Sequence, residues 1–304
     1  VKIVFAGSPE IAASALREVS KHHEIVMVLT MPDSPVGRKR ILTPTPVAQE
    51  AERLKIPIIK TKRIGPNEQT QLESSGAELA VVLAYGALLP ASALQLFPWL
   101  NLHFSTLPNW RGATPLQHSM ISGVGQGFTI FQIDEGMDTG PVLHVEPLEL
   151  PEDQSCGKLL QVLTTQGTDK LLELLQTELI ARPQSGAATL APKIGRHEAR
   201  LDFSKTSDEL QRFVMALNPE PMAWAESGGQ AIRILQAKSL GATNWDALAD
   251  VPSDFGQIEL SGDRPLVVCG QGTRLELIEV QPAGKRAMSA SDWVRGHGKG
   301  LRLD

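Results

Sequence analysis

The chain has 304 residues, enough for two domains or for one large domain with an appendage. With 42% hydrophobic and 21% charged residues it is an ordinary globular sequence; 29 basic against 34 acidic side chains leave a net charge of −5. That balance excludes a global basic field for nucleic acid, so any RNA contact must come from local patches.

Val1 to Gly7 reads as a strand and a turn rather than a leader, and no apolar run reaches membrane-spanning length, so a cytoplasmic protein is expected. Cys156 and Cys269 stand far apart without metal-ligand or CxxC spacing and read as reduced, buried thiols. Lys2 to Ala6 is a short apolar run ending at Gly7-Ser8-Pro9, and the spacing after it predicts a helix over 10–21, the first β-α unit of a parallel sheet. GxGxxG is missing there, so a dinucleotide site is not expected. Further buried strands are predicted at 25–29, at 56–59 with Pro57 at a strand start or edge, and at 79–83, with a helix over 47–55. This alternation predicts a doubly wound α/β sheet.

Between the second strand and the 47–55 helix, Met31 to Pro46 carries four prolines and a glycine, which predict irregular structure through most of it. Arg38, Lys39 and Arg40 followed by Ile41-Leu42 make a basic tip with an apolar edge. By itself that tip reads either as a solvated charge run or as an RNA-contacting loop. Ala84 to Pro90 leads out of the 79–83 strand and reads by itself as a strand-to-helix connection. Asn101 and His103 are two apart on the next predicted strand and share a face, which puts an amide and an imidazole at a strand end, where α/β sheets bind ligands. A helix at 115–122 and a strand at 128–133 lead to Gly136-Met137-Asp138-Thr139-Gly140, where the glycines permit a tight path around Asp138. An aspartate brought beside a histidine holds one tautomer and raises its pKa, so that is the expectation for His103.

A strand over 142–150 closes this part. The leucines of 154–181 predict one long helix or two, breaking near Gly167. Pro183 to Pro192 is polar and rich in small residues, as linkers are. A helix over 207–217 ends at Asn218-Pro219, and the short strand-like runs after it predict a small β-barrel.

Asn101-x-His103, Ser105-Thr106-Leu107-Pro108, Trp110-Arg111-Gly112-Ala113 and Asp134-x-Gly136-x-Asp138-Thr139-Gly140 together resemble the signature of folate-dependent formyltransferases. Thr106 departs from it, standing where leucine is usual. The resemblance implies that Asn101, His103 and Asp138 are catalytic. It also implies that Tyr85, Gly86, Ser105, Thr106, Leu107 and Pro108 line the folate pocket, with 10-formyltetrahydrofolate as formyl donor and no metal. Pro32-Asp33-Ser34-Pro35-Val36-Gly37-Arg38, Ala191 to Ile194, Glu198 to Ser204, Asn218 to Pro221 and Gln281 to Met288 are similar to the branch of that family acting on initiator methionyl-tRNA. From that likeness Arg38, Lys39 and Arg40 are expected to meet tRNA, with Lys205, Lys285 and Arg286 as further candidates. The implied organisation is a Rossmann-like catalytic domain over 1–182, a linker over 183–204 and an OB-like β-barrel over 205–304. A monomer without membrane or DNA partners is expected. Two alternatives stay open at this point: a relative acting on a nucleotide-linked amino sugar or glycinamide ribonucleotide, and a non-catalytic RNA-binding protein on the same fold.

Overall fold

The computed structural model describes residues 1–37, 39–241, 254–297 and 300–304. In chain order the first elements are β1 (Lys2–Gly7), α1 (Glu10–Val19), β2 (Glu24–Thr30), β3 (Ser34–Val36), β4 (Ile41–Thr43), α2 (Pro46–Leu54), β5 (Ile58–Lys60), α3 (Pro66–Ser74), β6 (Leu79–Leu83) and α4 (Ala91–Leu94). Then come β7 (Trp99–His103), β8 (Arg111–Gly112), α5 (Pro115–Ser122), β9 (Gly127–Gln132), β10 (Val142–Pro147), α6 (Cys156–Leu174) and β11 (Leu190–Ala191). The last are α7 (Ser207–Ala216), β12 (Trp224–Ser227), β13 (Gln230–Ser239), β14 (Ile258–Ser261), β15 (Arg264–Val268), β16 (Arg274–Pro282), β17 (Met288–Ser289) and α8 (Ala290–Arg295). They divide into two compact units, one of Val1–Pro115, Gly125–Glu149 and Leu160–Ala191, the other of Leu116–Val124, Leu150–Leu159 and Pro192–Asp304.

The first unit is built on a seven-stranded sheet of order β10-β9-β7-β6-β1-β2-β5. Strands β5, β2, β1, β6 and β7 are parallel, while β9 and β10 are antiparallel additions. The apolar runs of β1 and β6 are buried almost throughout, as strands of a parallel sheet covered on both faces must be. From β1 the chain winds outward through β2 to β5, then returns to the other side of β1 for β6 and β7. The expected doubly wound sheet is therefore present, and its order reverses between β1 and β6, the place where such sheets receive ligands beyond their carboxyl ends. Pro57 stands just ahead of β5, at the sheet edge, and its carbonyl accepts from Val28 N–H at 2.8 Å.

Two local details refine the expectations. The proline-rich passage after β2 lies mostly outside regular elements, but within it β3 and β4 pair antiparallel, with Pro35 opposite Leu42. A two-stranded ribbon has an open edge on each strand, and an edge tolerates the amide that proline lacks. Of the one or two helices expected over 154–181, the single-helix alternative holds, and α6 runs unbroken through Gly167. A Cβ at Gly167 would sit 2.5 Å from Leu102 Cδ1, so the missing side chain lets the helix lie close on β7.

In the second unit, β12-β13-β16-β15-β14 form an antiparallel sheet with β17 beside β16. The expected barrel is a curled antiparallel sheet, a half-barrel. Helix α7 begins with a capping box in which the Thr206 hydroxyl accepts from Glu209 N–H. It is tied to β13 where Ser239 N–H donates to Gln211 Oε1 at 2.6 Å, and Asn218 Nδ2, just past its end, donates to the Leu235 carbonyl at 2.6 Å.

Candidate active site

Strand β7 lies between β6 and β9, with Asn101 level with Val82 and Phe131, and His103 opposite Thr129. Asn101 is half-buried, and no hydrogen bond engages its side-chain amide among the described residues. His103 is buried, at 4% exposure. Its Nε2 lies 3.0 Å from the Trp110 carbonyl, which can only accept, so Nε2 carries the proton and donates. In the neutral ring the free lone pair is therefore on Nδ1, which faces Asp138 Oδ2 at 3.7 Å. That same carboxylate oxygen accepts from Gly112 N–H at 2.8 Å.

The turn that delivers Asp138 depends on its glycines. A Cβ at Gly140 would run into the Gln132 carbonyl and one at Gly136 into the Thr139 hydroxyl. Asp134 closes the turn by accepting from Gly136 N–H at 3.0 Å and from Thr139 Oγ1 at 2.6 Å. Asp138 itself sits at φ +53°, in the left-handed region, which costs an L residue roughly 1 kcal/mol and which aspartate tolerates better than most. The expectation that Asp138 lifts the His103 pKa is reversed in net effect. Burial acts most strongly and lowers it, outweighing the Asp138 charge and the Trp110 carbonyl, both of which raise it. His103 is thus a neutral imidazole with a carboxylate beside its open nitrogen.

The segments the sequence assigns to folate are arranged unevenly. Ser8 Oγ donates to the Tyr85 carbonyl at 2.8 Å and accepts from Met31 N–H at 3.3 Å, stitching together the carboxyl ends of β1, β2 and β6. The Tyr85 ring is buried and its hydroxyl donates to the Thr61 carbonyl at 2.9 Å, with its pKa pushed up to about 12 by burial and then by Glu68. Gly86, at φ +89°, is exposed, and a Cβ there would have only Met31 Cγ in reach, at 3.7 Å. Ser105 is fully buried and its hydroxyl donates to the Asn109 carbonyl at 2.7 Å. Thr129 Oγ1 donates to the Ser105 carbonyl and accepts from Leu107 N–H. Thr106 and Pro108 are half-buried, and Leu107 is buried. These side chains mostly hold the loop, leaving Gly86 and the backbone as its open faces.

Of the residues expected to meet tRNA, Arg38 lies outside the described residues. Lys39 and Arg40 are exposed at the turn between β3 and β4, next to the exposed Ile41 and Leu42. Lys205 precedes α7, while Lys285 and Arg286 follow β16; all three are exposed. Among the described residues no three His, Cys, Asp or Glu side chains gather as metal ligands, and no helix is long and apolar enough to cross a membrane.

Sequence reasoning missed Gln184. Its Nε2 donates to the carbonyls of Asp138 and Gly140, both at 2.8 Å, and its Oε1 accepts from Arg111 Nε at 3.2 Å and from a terminal guanidinium nitrogen at 2.7 Å. Nearby, Thr189 Oγ1 accepts from Trp110 N–H at 2.8 Å, and β11 pairs parallel with β8. Nothing in a lone glutamine of a polar passage signals such a placement.

Residues 1–175 match the formyl transferase family and residues 193–298 its C-terminal domain, so the chain belongs to the formyl transferases. Its relatives within that family include methionyl-tRNA formyltransferases; the one from Clavibacter sepedonicus is 39% identical over 305 residues, covering 97% of each chain. Among solved structures, the methionyl-tRNA formyltransferase from Clostridium thermocellum is similar at a TM-score of 0.58 and 16% identity, over 78% of this chain and 93% of that one. HypX from Aquifex aeolicus, in complex with tetrahydrofolic acid, is similar at a TM-score of 0.62 and 14% identity. The match covers 99% of this chain but 48% of HypX, so the chain spans about half the length of that protein. At such identities the structural likeness speaks for the fold alone.

Proposed function

We propose that this chain transfers the formyl group of 10-formyltetrahydrofolate to the α-amino group of methionine carried by initiator tRNA. The observation that carries this reading is the neutral, buried His103 with Asp138 at its open nitrogen, at the end of β7 in a chain related end to end to a methionyl-tRNA formyltransferase. The folate supplies a formyl carbon open to attack by the amine. Asn101, with an unengaged amide beside His103, donates to the formyl oxygen as negative charge develops there. His103 Nδ1 takes the proton of the attacking amine, and Asp138 stabilises the imidazolium that results. As the tetrahedral intermediate collapses, the bond from the formyl carbon to the folate nitrogen breaks and that nitrogen leaves with a proton returned from the imidazolium, giving tetrahydrofolate and a neutral His103. His103 Nε2 is committed to the Trp110 carbonyl and is not available as a donor to substrate.

The open face at Gly86 and the exposed Leu88 suit a flat ring seated at the switch point, with Tyr85 offering backbone only. On this reading the first unit, which extends through Ala191, does the chemistry, and 205–304 hold tRNA, with the basic tip at Arg38, Lys39 and Arg40 as a further tRNA contact. The chain works as a cytoplasmic monomer. Incubation with 10-formyltetrahydrofolate and charged initiator tRNA should yield formylmethionyl-tRNA. Turnover with a nucleotide-linked amino sugar and none with the charged tRNA would overturn the proposal.

A further inference from the structure

We propose that Gln184, anchored by Arg111, is a positioning residue that fixes the Asp138 turn against His103; the inference rests on the catalytic reading given above. A carboxamide has two N–H donors and two acceptor lone pairs, and here all four are engaged. Both donors land on carbonyls of one turn, those of Asp138 and Gly140, and both lone pairs receive the Arg111 guanidinium. No other side chain of this length supplies that polarity. A carboxylate would keep Arg111 and repel the two carbonyls, and an ammonium would do the reverse.

Three consecutive residues hold both partners of the catalytic pair. The Trp110 carbonyl accepts from His103, Gly112 N–H donates to the Asp138 carboxylate, and Arg111 between them reaches the Asp138 backbone through Gln184. The carboxylate is thus tied to the 110–112 segment at its side chain directly and at its main chain through one amide. The left-handed backbone at Asp138 makes the second tie consequential, because a residue at φ +53° relaxes toward commoner conformations when its carbonyl is released. Relaxation would swing the carboxylate away from Nδ1, from which it already stands 3.7 Å.

The test is steady-state kinetics of the full chain with 10-formyltetrahydrofolate and charged initiator tRNA, comparing wild type, Gln184→Ala, Gln184→Glu, Asp138→Asn and the double variant Asp138→Asn/Gln184→Ala. Gln184→Ala and Gln184→Glu should lower kcat by roughly 10- to 100-fold with both KM values within about threefold, the pattern of a lost transition-state interaction. If Gln184 acts through Asp138, Gln184→Ala should add nothing in the Asp138→Asn background, whereas independent effects multiply. A second readout does not depend on turnover. The NMR titration of the His103 ring should move in Gln184→Ala in the same direction as in Asp138→Asn. Multiplying effects, a Gln184→Glu variant with wild-type kcat, or an unmoved His103 titration overturns the proposal. A wild type that forms no formylmethionyl-tRNA would instead sink the functional reading, and the His103 titration would still report whether Gln184 governs the pair.

Discussion

At His103 burial and charge pull in opposite directions, and the outcome decides what the residue can do. Because burial dominates, the ring is neutral at neutral pH and its pKa lies below the ordinary value of about 6.5. A base must be unprotonated to act, and an NMR titration of the His103 ring should find its midpoint below about 6.5, leaving it neutral through neutral pH. A His103 titration above neutrality would contradict the burial argument. His103→Ala and Asp138→Ala should each lower kcat by on the order of a hundredfold or more, with modest change in tRNA affinity. Unchanged kcat for both would remove them from the chemistry. The three residue types and their spacing were legible in the sequence through the Asn-x-His and Gly-Met-Asp-Thr-Gly motifs. The protonated nitrogen was not, because it is set by a backbone carbonyl seven residues on, and carbonyls leave no trace in residue identity.

Among the elements, α1 and α2 are joined by a buried carboxylate. Glu50, 6% exposed, accepts from Arg17 at 2.9 Å and from Arg53 at 2.6 Å, and its pKa is held down to about 2 by hydrogen bonds from Arg53 and then Arg17, against the opposing pull of burial. A depressed folded-state pKa means that the carboxylate's contribution to stability is complete above its unfolded pKa of about 4.3 and is lost as pH falls toward 2. Chemical denaturation between pH 6 and 2 should therefore show a steeper acid loss for wild type than for Glu50→Gln; identical slopes would mean that the clamp contributes nothing. Gly112, at φ +132°, also has its would-be Cβ 2.6 Å from the Ala191 carbonyl. Gly112→Ala should cost about 1–3 kcal/mol of stability and lower kcat as well, since its N–H holds Asp138. Full activity at unchanged stability would argue against both. Long apolar strands were readable as apolar runs, and the 115–122 helix with its proline in the first turn. The β3–β4 ribbon was not, because composition marked proline as a breaker while an open edge gave it a place.

For the whole molecule, a net charge of −5 leaves tRNA attraction to local cations. Lys39 and Arg40 are exposed at a ribbon tip, so if they meet phosphates of a single-stranded end, Lys39→Ala and Arg40→Ala should each reduce the slope of log affinity against log salt by roughly 0.7. Salt titrations of charged-tRNA binding with wild-type slopes would make the tip a solvated charge run. A doubly wound sheet followed from the alternation of elements, but the membership of residues 184–191 did not, since a polar passage rich in small residues reads as free chain. Those residues belong with the first unit, bonded to residues 108–112 and to the Asp138 turn. This sets where two relatives can be recombined. A chimera joined after residue 182 takes its glutamine amide and its β11 from the donor of the carboxyl-terminal half, and so mixes the Asp138 turn of one parent with the residues that hold it in another. A chimera joined after 191 inherits both from a single parent, and any change in its substrate preference can then be read as the contribution of the exchanged half.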